Sequence, residues 1–410
     1  MNWPIPRGRI SHPLFLEIID LFRAVAFPSE NKLLVKEYEK TIGRYLQTNE
    51  SILFPFARTG FYAILKSLNL PKGSRILMPT ITIKPMLDIV LNLELVPIFV
   101  DVDLETACWD LTSLKNALQQ KPSVGLLTYL FGVVPNLEEI LPQLKEKDIV
   151  VIEDFSQAFG AKFQGKFLGT HGDFGICSTT STKTFDTYGG AIVIVKDQNS
   201  LELLKYHKNN LREPKKSTLI KKIARNIVLN FASSKLIFCL FTFPLVKITN
   251  SRKNDLVGKF TGARSLSPIQ SLPEKWFEAP CAFQAKIGMR ELRKQASKDL
   301  KRLTIADRYT RELSLVGPRG SETNISIFWQ YINIDNNPVE FRKYLNKNRI
   351  DCATTSLVNL TRLQEYGFVQ NLPSTQVIYD KGVYLPCYHQ LKYRQQSHII
   401  KSIRKYYENY

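Results

Sequence analysis

The stretch from Asp173 to Ala191 reads DFGICSTTSTKTFDTYGGA, and it runs directly into the apolar segment AIVIV. It places one lysine, Lys183, among small hydroxylated residues and ahead of the glycine pair Gly189 and Gly190. Taken alone, such a lysine is more often a solvated loop residue, and such a glycine pair is usually only a turn. A tight loop of Ser and Thr before two glycines can, however, present a lysine amine to a ligand.

Strand-like apolar runs alternate with helix-like segments around this loop, from Pro55 to Val195. The runs are RILMPT, VPIFVDVD, VGLLTYLFG, DIVVIED and AIVIV. The alternation predicts an α/β fold with a largely parallel sheet that is covered by helices on both faces. Ligands of such sheets bind at the carboxyl ends of the strands. We therefore expect the polar residues that follow each run, among them Asp154, to line a site.

The segment ARTGFYAILKSL adds a third feature, because it places Thr59 and Gly60 at the start of an amphipathic helix whose N–H groups suit a phosphate. A lysine amine, a carboxylate that ends a strand and a phosphate-binding helix start are the parts that pyridoxal 5'-phosphate (PLP) requires. Each part has a simpler explanation by itself. Asp154 could cap a helix, and Thr59 with Gly60 is a weak phosphate signal.

The order of these motifs resembles the DegT/DnrJ/StrS family of sugar aminotransferases, which are PLP-dependent enzymes of fold-type I. The resemblance runs from about Val35 to Arg404. It is carried by LPKGSRILMPTITI, LVPIFVDVDLETACWDLTSL, CAFQAKIGMRELRK and VYLPCYHQL, and most specifically by the segment from VVIEDF to DTYGGA. It implies a large PLP-binding domain with a mostly parallel sheet, a smaller C-terminal α+β domain, and a homodimer with its sites at the subunit interface.

The resemblance also implies roles for individual residues. Asp154 is expected to pair with the pyridine nitrogen of PLP, and Gln157 to lie against the hydroxyl side of the ring. Ser178 is expected to bind the phosphate. Lys183 is expected to form the bond to the cofactor aldehyde, so Lys183 and Asp154 are the expected catalytic residues.

The chain departs from the family pattern at the phosphate-binding helix. Where the family usually reads Ser-Gly-Thr, this chain has Thr59, Gly60 and Phe61. One phosphate hydroxyl is therefore missing, and backbone N–H groups are expected to hold more of the phosphate. These three residues complete the predicted cofactor site.

Lys183 also bears on the reaction, because a dehydrating branch of the family resembles this chain but carries histidine at the lysine position. The lysine favours transamination of a keto-sugar, expected to be nucleotide-linked, in amino-sugar or polysaccharide biosynthesis, with an amino acid donor that is glutamate by family habit. Two alternatives stay open: an aminotransferase at a membrane that acts on a lipid-linked acceptor, and a catalytically silent PLP-binding regulator or scaffold.

Residues 206–270, here called the insertion, are the least family-like part, between a large domain at 1–205 and a small domain at 271–410. From Lys205 to Arg264 there are fourteen Lys or Arg against two acidic residues, out of a net charge of +19 for the whole chain. The longest clean apolar run, Leu236 to Val246, has eleven residues, against about 20 for a spanning helix. We expect either an anchor on an anionic membrane surface or a helical hairpin packed on the protein or across the dimer. The basic residues expected to meet lipid head groups are Lys215, Lys216, Lys221, Lys222, Arg225, Arg252 and Lys253.

Other classes of protein are disfavoured. The six cysteines form no CxxC pair and the five histidines have no metal-ligand spacing, so we expect reduced thiols and no metal. The N-terminus lacks the features of a signal peptide, which predicts a cytoplasmic protein, peripheral at the cytoplasmic face of a membrane if the insertion is an anchor. Nucleic acid is not an expected partner, because the basic residues surround an apolar block.

Overall fold

A computed structural model describes residues 3–28, 30–48, 50–251, 269–321, 324–368 and 370–409 of the chain. Its strands are β1 (Glu50–Phe54), β2 (Arg75–Pro79), β3 (Ile81–Thr82), β4 (Val96–Val100), β5 (Val124–Thr128), β6 (Val150–Asp154), β7 (Lys162–Phe163), β8 (Lys166–Phe167), β9 (Phe174–Ser178), β10 (Ala191–Val195), β11 (Tyr331–Ile334), β12 (Val358–Asn359) and β13 (Gly382–Leu385). Its α-helices are α1 (Leu14–Ala26), α2 (Lys32–Leu46), α3 (Ala57–Ser67), α4 (Lys84–Asn92), α5 (Leu111–Leu118), α6 (Leu137–Glu146), α7 (Gln198–Asn209), α8 (Lys216–Ala232), α9 (Lys235–Ile237), α10 (Phe243–Ser251), α11 (Ala282–Glu312), α12 (Pro338–Lys347), α13 (Pro373–Lys381) and α14 (Tyr393–Asn409). Short 3-10 turns lie at Leu130–Gly132, Glu274–Phe277, Leu360–Arg362 and Gln364–Tyr366, and a π-helical turn at Phe238–Thr242.

Seven strands of the described chain form the main sheet, in the order β1-β10-β9-β6-β5-β2-β4. The strands from β9 to β4 run parallel, whereas β10 is antiparallel to both β9 and β1. This mostly parallel α/β sheet confirms the fold class predicted from the alternating runs. Because β6 and β9 are parallel neighbours, their carboxyl ends meet at one edge of the sheet, at Asp154 and Ser178.

Both faces of the main sheet are covered, which explains why its strands read as continuous apolar runs. Successive residues of β2 alternate between two hydrophobic clusters: Leu77 packs in one, and Ile76 and Met78 pack in the other. In β5, Leu127 packs in the same cluster as Leu77, and its neighbour Leu126 packs in the cluster of Ile76 and Met78. A sheet buried on both sides leaves its strand ends as the place where polar side chains can gather.

The C-terminal elements form a smaller α+β unit. The long helix α11 leads into it, β11 and β13 pair antiparallel, and the apolar side of α14 packs on a separate cluster with Tyr309 and Phe341. The start of the chain joins this unit, because Ile5 donates its N–H to the carbonyl of Arg349 and accepts from the N–H of Asp351, both at 2.9 Å. The domain boundaries expected from the sequence stay a prediction.

The described part of the insertion is helical, and one side of α8 packs on the protein. Leu219 and Ile223 are buried in a cluster that includes Ala24 of α1. The side-chain amide of Asn230 donates to the carbonyl of His12 at 2.7 Å and to Glu17 at 3.0 Å. The helix is thus fastened to the N-terminal segment by apolar and polar contacts.

Among the described helices, none is by itself long and apolar enough to cross a membrane. The pair Lys216–Ala232 and Lys235–Lys247, bent by 61°, meets that length and composition criterion only when taken together. Two of the expected head-group ligands, Arg252 and Lys253, lie outside the described residues.

Candidate active site

Lys183 and Asp154 line one cavity of about 700 Å³ at the carboxyl edge of the sheet. Asp154 ends β6, and one of its carboxylate oxygens accepts the N–H of Ser156 at 3.0 Å. Lys183 lies on the loop between β9 and β10, and its amine is 4.0 Å from the centre of the Trp329 ring. Adjacent strands therefore bring an amine and a carboxylate to the same cavity, although 28 positions separate them in the sequence.

The loop that carries Lys183 is held by its own hydroxyl groups. The hydroxyls of Thr179 and Thr187 lie 2.7 Å apart, and Thr187 donates to the carbonyl of Gly189 at 2.6 Å. Gly189 and Gly190 have φ angles of 126° and 99°, which residues with a side chain rarely adopt. The glycine pair is therefore required by the turn that closes the loop.

The electrostatics of the site favour a reactive lysine. Burial lowers the pKa of Lys183 to about 8 even though the charge of Asp154 opposes that change. Burial raises the pKa of Asp154, while its bonds to Ser156 and the charge of Lys183 act in the opposite direction. An amine with a pKa near 8 is neutral in a useful fraction of molecules at neutral pH, as attack on an aldehyde requires.

Gln157 and Ser178 line the same cavity. The Gln157 side-chain oxygen accepts the N–H of Phe131 at 2.8 Å. The Ser178 hydroxyl lies 3.0 Å from the hydroxyl of Thr180, and the Ser178 N–H donates to Ser156 at 2.8 Å. Four of the predicted residues, Lys183, Asp154, Gln157 and Ser178, are therefore brought together.

The helix that was predicted to bind phosphate reaches the cavity through residues other than the predicted ones. The Thr59 hydroxyl donates to the carbonyl of Trp276 at 2.7 Å, and Phe61 is buried in the core. A Cβ on Gly60 would lie 2.5 Å from Val193, so Gly60 packs against the sheet. The cavity is instead lined by the residues just before these three, Phe56, Ala57 and Arg58. The phosphate role of Thr59, Gly60 and Phe61 stays a prediction, and their side chains do not contribute to the cavity wall.

The sequence did not predict that Arg58, Lys222 and Trp329 line the cavity. Arg58 is only 7% exposed, and its guanidinium lies 3.8 Å from the centre of the Phe56 ring. Lys222 comes from α8, and Trp329 comes from the C-terminal elements. Arg58 is a charged residue in an otherwise apolar helix start, and this could have indicated a functional position. Trp329 belongs to no motif.

The residues present fit PLP. A partly neutral lysine amine and a buried carboxylate occupy one part of the cavity, and the paired hydroxyls of Ser178 and Thr180 offer donors for a phosphate. These groups lie at the end of β6, at the end of β9 and on the loop after β9, which the sheet brings together.

A model of the DegT/DnrJ/EryC1/StrS aminotransferase family matches residues 30–230 and 281–404. The unmatched residues 231–280 overlap the predicted insertion. GDP-perosamine synthase from Escherichia coli O157:H7 is 31% identical over 134 residues, which cover 33% of this chain and 37% of that enzyme. GDP-4-keto-6-deoxy-D-mannose 3-dehydratase from Yersinia pseudotuberculosis is 28% identical over 180 residues, which cover 42% of this chain and 45% of that enzyme. The matched stretches thus span less than half the length of these relatives.

The crystal structure of a DegT DnrJ EryC1 StrS aminotransferase from Brucella abortus has a TM-score of 0.72 against this chain, at 19% identity. The superposition covers 96% of this chain and 95% of that one. The predicted fold-type I architecture is confirmed.

Proposed function

The chain belongs to the DegT/DnrJ/EryC1/StrS aminotransferase family, and from this premise we propose that it transfers an amino group from an amino acid to a keto-sugar. The proposed cofactor is PLP, and the proposed acceptor is nucleotide-linked, with glutamate as the donor. The observation that carries the proposal is that Asp154, at the end of β6, and Lys183, on the loop after the adjacent strand β9, line one cavity.

When bound, PLP supplies an electron sink that lets a proton leave the carbon next to the donor nitrogen. Asp154, which keeps its carboxylate charged through the N–H of Ser156 and the charge of Lys183 against the effect of burial, would hold a proton on the pyridine nitrogen by pairing with it. Gln157, whose side-chain oxygen accepts the N–H of Phe131, would lie against the ring. These two residues bind and orient the ring.

Lys183 moves the proton. Lys183 lies on a loop that Thr179 and Thr187 hold together, and its Nζ atom lies 4.0 Å from the centre of the Trp329 ring. The lowered pKa lets Nζ accept a proton from the donor carbon and release it again near neutral pH. The same atom serves both half-reactions, in opposite directions.

Transamination is favoured over dehydration by the residue at this position. One relative named above is a dehydratase, so similarity alone does not choose between the two reactions. A lysine amine both bonds the cofactor aldehyde and shuttles the proton, and Lys183 is the residue that the fold brings to Asp154. The catalytically silent alternative is disfavoured by the same pair.

The test is mass spectrometry of the protein loaded with pyridoxamine 5'-phosphate and incubated with nucleotide-linked and lipid-linked keto-sugars. The proposal expects an amino-sugar product from one acceptor class, and none from the Lys183→Ala variant. Asp154→Asn should keep the fold and slow the reaction on the order of 10³-fold, as removal of a charged partner from a reacting centre does. A deoxygenated sugar without nitrogen would mean dehydration, and no product from any acceptor would support the silent alternative.

A second candidate function is favoured by the surface of the insertion. Exposed apolar side chains lie on α1 and α8, which pack together, and on the helical turns of the insertion that follow α8. We propose that this surface, here called the apolar face, binds an anionic membrane and gives access to a lipid-linked acceptor. Lys221, Lys235 and Lys247 are exposed beside it and suit acidic head groups. The apolar face consists of Phe15, Phe22, Val228, Phe231, Leu236, Leu240, Phe241 and Leu245, each at least 51% exposed.

We propose a homodimer, and a cytoplasmic location that is peripheral to the membrane if the apolar face binds lipid. We also propose the division into a large domain at 1–205, the insertion at 206–270 and a small domain at 271–410. The gap in the family match at 231–280 supports a break in this region.

A further inference from the structure

Lys222 is a lysine of the insertion that lies inside the active-site cavity, away from the apolar face. It projects from α8 to the same cavity as Lys183. Its amine lies 5.0 Å from the centre of the Phe56 ring, and the guanidinium of Arg58 lies 3.8 Å from the same ring. Two cations from distant parts of the chain therefore lie close to one aromatic ring, that of Phe56, directly before the first residue of α3.

Among the described carboxylates, Glu278 acts on the charge of Lys222, but without direct contact. No hydrogen bond or ion pair joins its amine to any described residue. Burial, together with the positive charge of Arg58, lowers the pKa of Lys222 to about 8, although Cys281 and Glu278 act in the opposite direction. The carboxylate of Glu278 accepts bonds from Lys215 at 3.0 Å and Thr218 at 3.2 Å, so it is engaged elsewhere. Two like charges held together at a partly buried position are stabilised by a bound anion.

The surroundings of Lys222 identify the kind of anion. A Cβ built on Gly189 would lie 2.6 Å from the Lys222 amine, so this amine lies against the turn that closes the Lys183 loop. The N–H of Gly189 donates to the carbonyl of Thr179, and the neighbours of Thr179, Ser178 and Thr180, line the cavity with their hydroxyls 3.0 Å apart. Hydroxyl donors, a helix start and two cations next to one another suit a dianionic phosphate.

The two lysine amines have different charged neighbours. Asp154 is the acidic partner whose charge affects the pKa of Lys183, and the pKa of Lys222 is affected instead by Arg58 and Glu278. A ligand with an aldehyde at one end and a phosphate at the other would meet a distinct group at each end. PLP has this distribution of groups.

We propose that Lys222, with Arg58 beside it, binds the phosphate of PLP, so that the first helix of the insertion completes the cofactor site within one chain. The inference rests on the proposed function, because it takes PLP as the cofactor. It gives the insertion a role in the site that is separate from membrane binding. The alternative occupant is the diphosphate of a nucleotide-linked substrate.

The experiment compares PLP with pyridoxal, which has the same ring and aldehyde but no phosphate. Apoprotein is titrated with each compound, and binding is followed by the absorbance of the bound form and by protein fluorescence. Lys222→Gln should weaken PLP binding about tenfold or more and leave pyridoxal binding unchanged. The matched control is Lys221→Gln, which changes the adjacent exposed lysine of the same helix and should affect neither compound. Lys222→Arg keeps the charge and should restore most of the affinity for PLP.

Several results would overturn the inference. Equal loss for PLP and pyridoxal, with an unchanged circular dichroism spectrum and thermal midpoint, would mean that Lys222 does not contact the phosphate. Unchanged PLP binding together with weaker binding of GDP or UDP would assign the cation to the substrate. Wild-type protein that binds neither PLP nor pyridoxal would contradict the proposed function itself. Wild-type protein that binds both with the same affinity would contradict only the phosphate site.

Discussion

The indole N–H of Trp329 donates to the carbonyl of Thr182 at 2.7 Å, which joins the C-terminal elements to the residue just before Lys183. Thr182 has a φ of 78°, a conformation that costs a residue with a side chain about 1 kcal/mol or more. The hydrogen bond from Trp329 therefore offsets the backbone strain at Thr182, the residue before Lys183.

Trp329→Phe keeps the aromatic face near the Lys183 amine but removes the donor to Thr182. A net hydrogen bond is worth about 1 kcal/mol, so affinity for PLP should fall about fivefold. The measurement is a PLP titration followed by absorbance. Thr182→Gly is the matched control, because glycine adopts positive φ without strain and should not weaken binding. Unchanged affinity in Trp329→Phe would mean that the loop holds its shape without this bond.

The pKa of Lys183 predicts a pH dependence that can be measured with pyridoxal. The neutral amine attacks the aldehyde, so the rate of capture should rise with pH and level off above about 8. An ordinary lysine would give a midpoint near 10.4. Because Lys222 also has a pKa of about 8, the measurement is repeated in Lys222→Arg. A midpoint near 10 in that variant would contradict the burial of Lys183 described here.

His12 joins the N-terminal segment to the Lys183 loop through a buried ionic cluster. Its ring nitrogens lie 3.4 Å from Asp186 and 3.4 Å from Glu291. Burial alone would lower the pKa of His12, but these two carboxylates raise it from 6.5 to about 9. A raised histidine pKa stabilises the fold fully below the unfolded value of 6.5, and that stabilisation is lost as the pH rises through 9.

His12→Asn should therefore lower the free energy of unfolding by about 3 kcal/mol at pH 6 and by much less above pH 9. Urea unfolding of wild type and variant at both pH values measures the difference. A deficit that is the same at both pH values would mean that His12 acts through packing alone.

The apolar face predicts binding to vesicles that contain anionic lipid, with weaker binding to neutral vesicles. The variant Leu240→Ser, Phe241→Ser and Leu245→Ser removes three side chains that are each 62% exposed, so co-sedimentation should be lost while the absorbance of bound PLP is retained. The control is Leu300→Ser on α11, a side chain that is 65% exposed away from this face. If the wild type ignores vesicles and the triple variant turns a dimer into a monomer, the face is a subunit contact.

The site residues at strand ends were predictable because parallel neighbours bring their carboxyl ends together. Asp154 and Ser178 follow from that rule, and Lys183 from the loop that comes after β9. The family resemblance supplied their roles. What the sequence pattern did not show was that β10 runs antiparallel to β9, since a buried strand reads the same in either direction.

Contacts between distant segments could not be predicted from local pattern. The insertion was expected to present Lys222 to lipid, yet this lysine lies in the cavity. Phe238 belongs to the expected apolar anchor but is only 4% exposed, because the π-helical turn directs it inward against Phe243. The position of Lys222 depends on the packing of α8 on α1, and neither helix carries a motif that predicts this packing.

The most direct test of the account is borohydride reduction of the protein loaded with PLP, followed by peptide mass spectrometry. Two lysines with lowered pKa values line the cavity, Lys183 and Lys222, and the account assigns the covalent bond to the first and the phosphate to the second. The predicted result is the cofactor mass on the peptide that contains Lys183, and no labelling in Lys183→Ala. Labelling of Lys222 or of another lysine in the wild type, or trapping that persists in Lys183→Ala, would contradict the account.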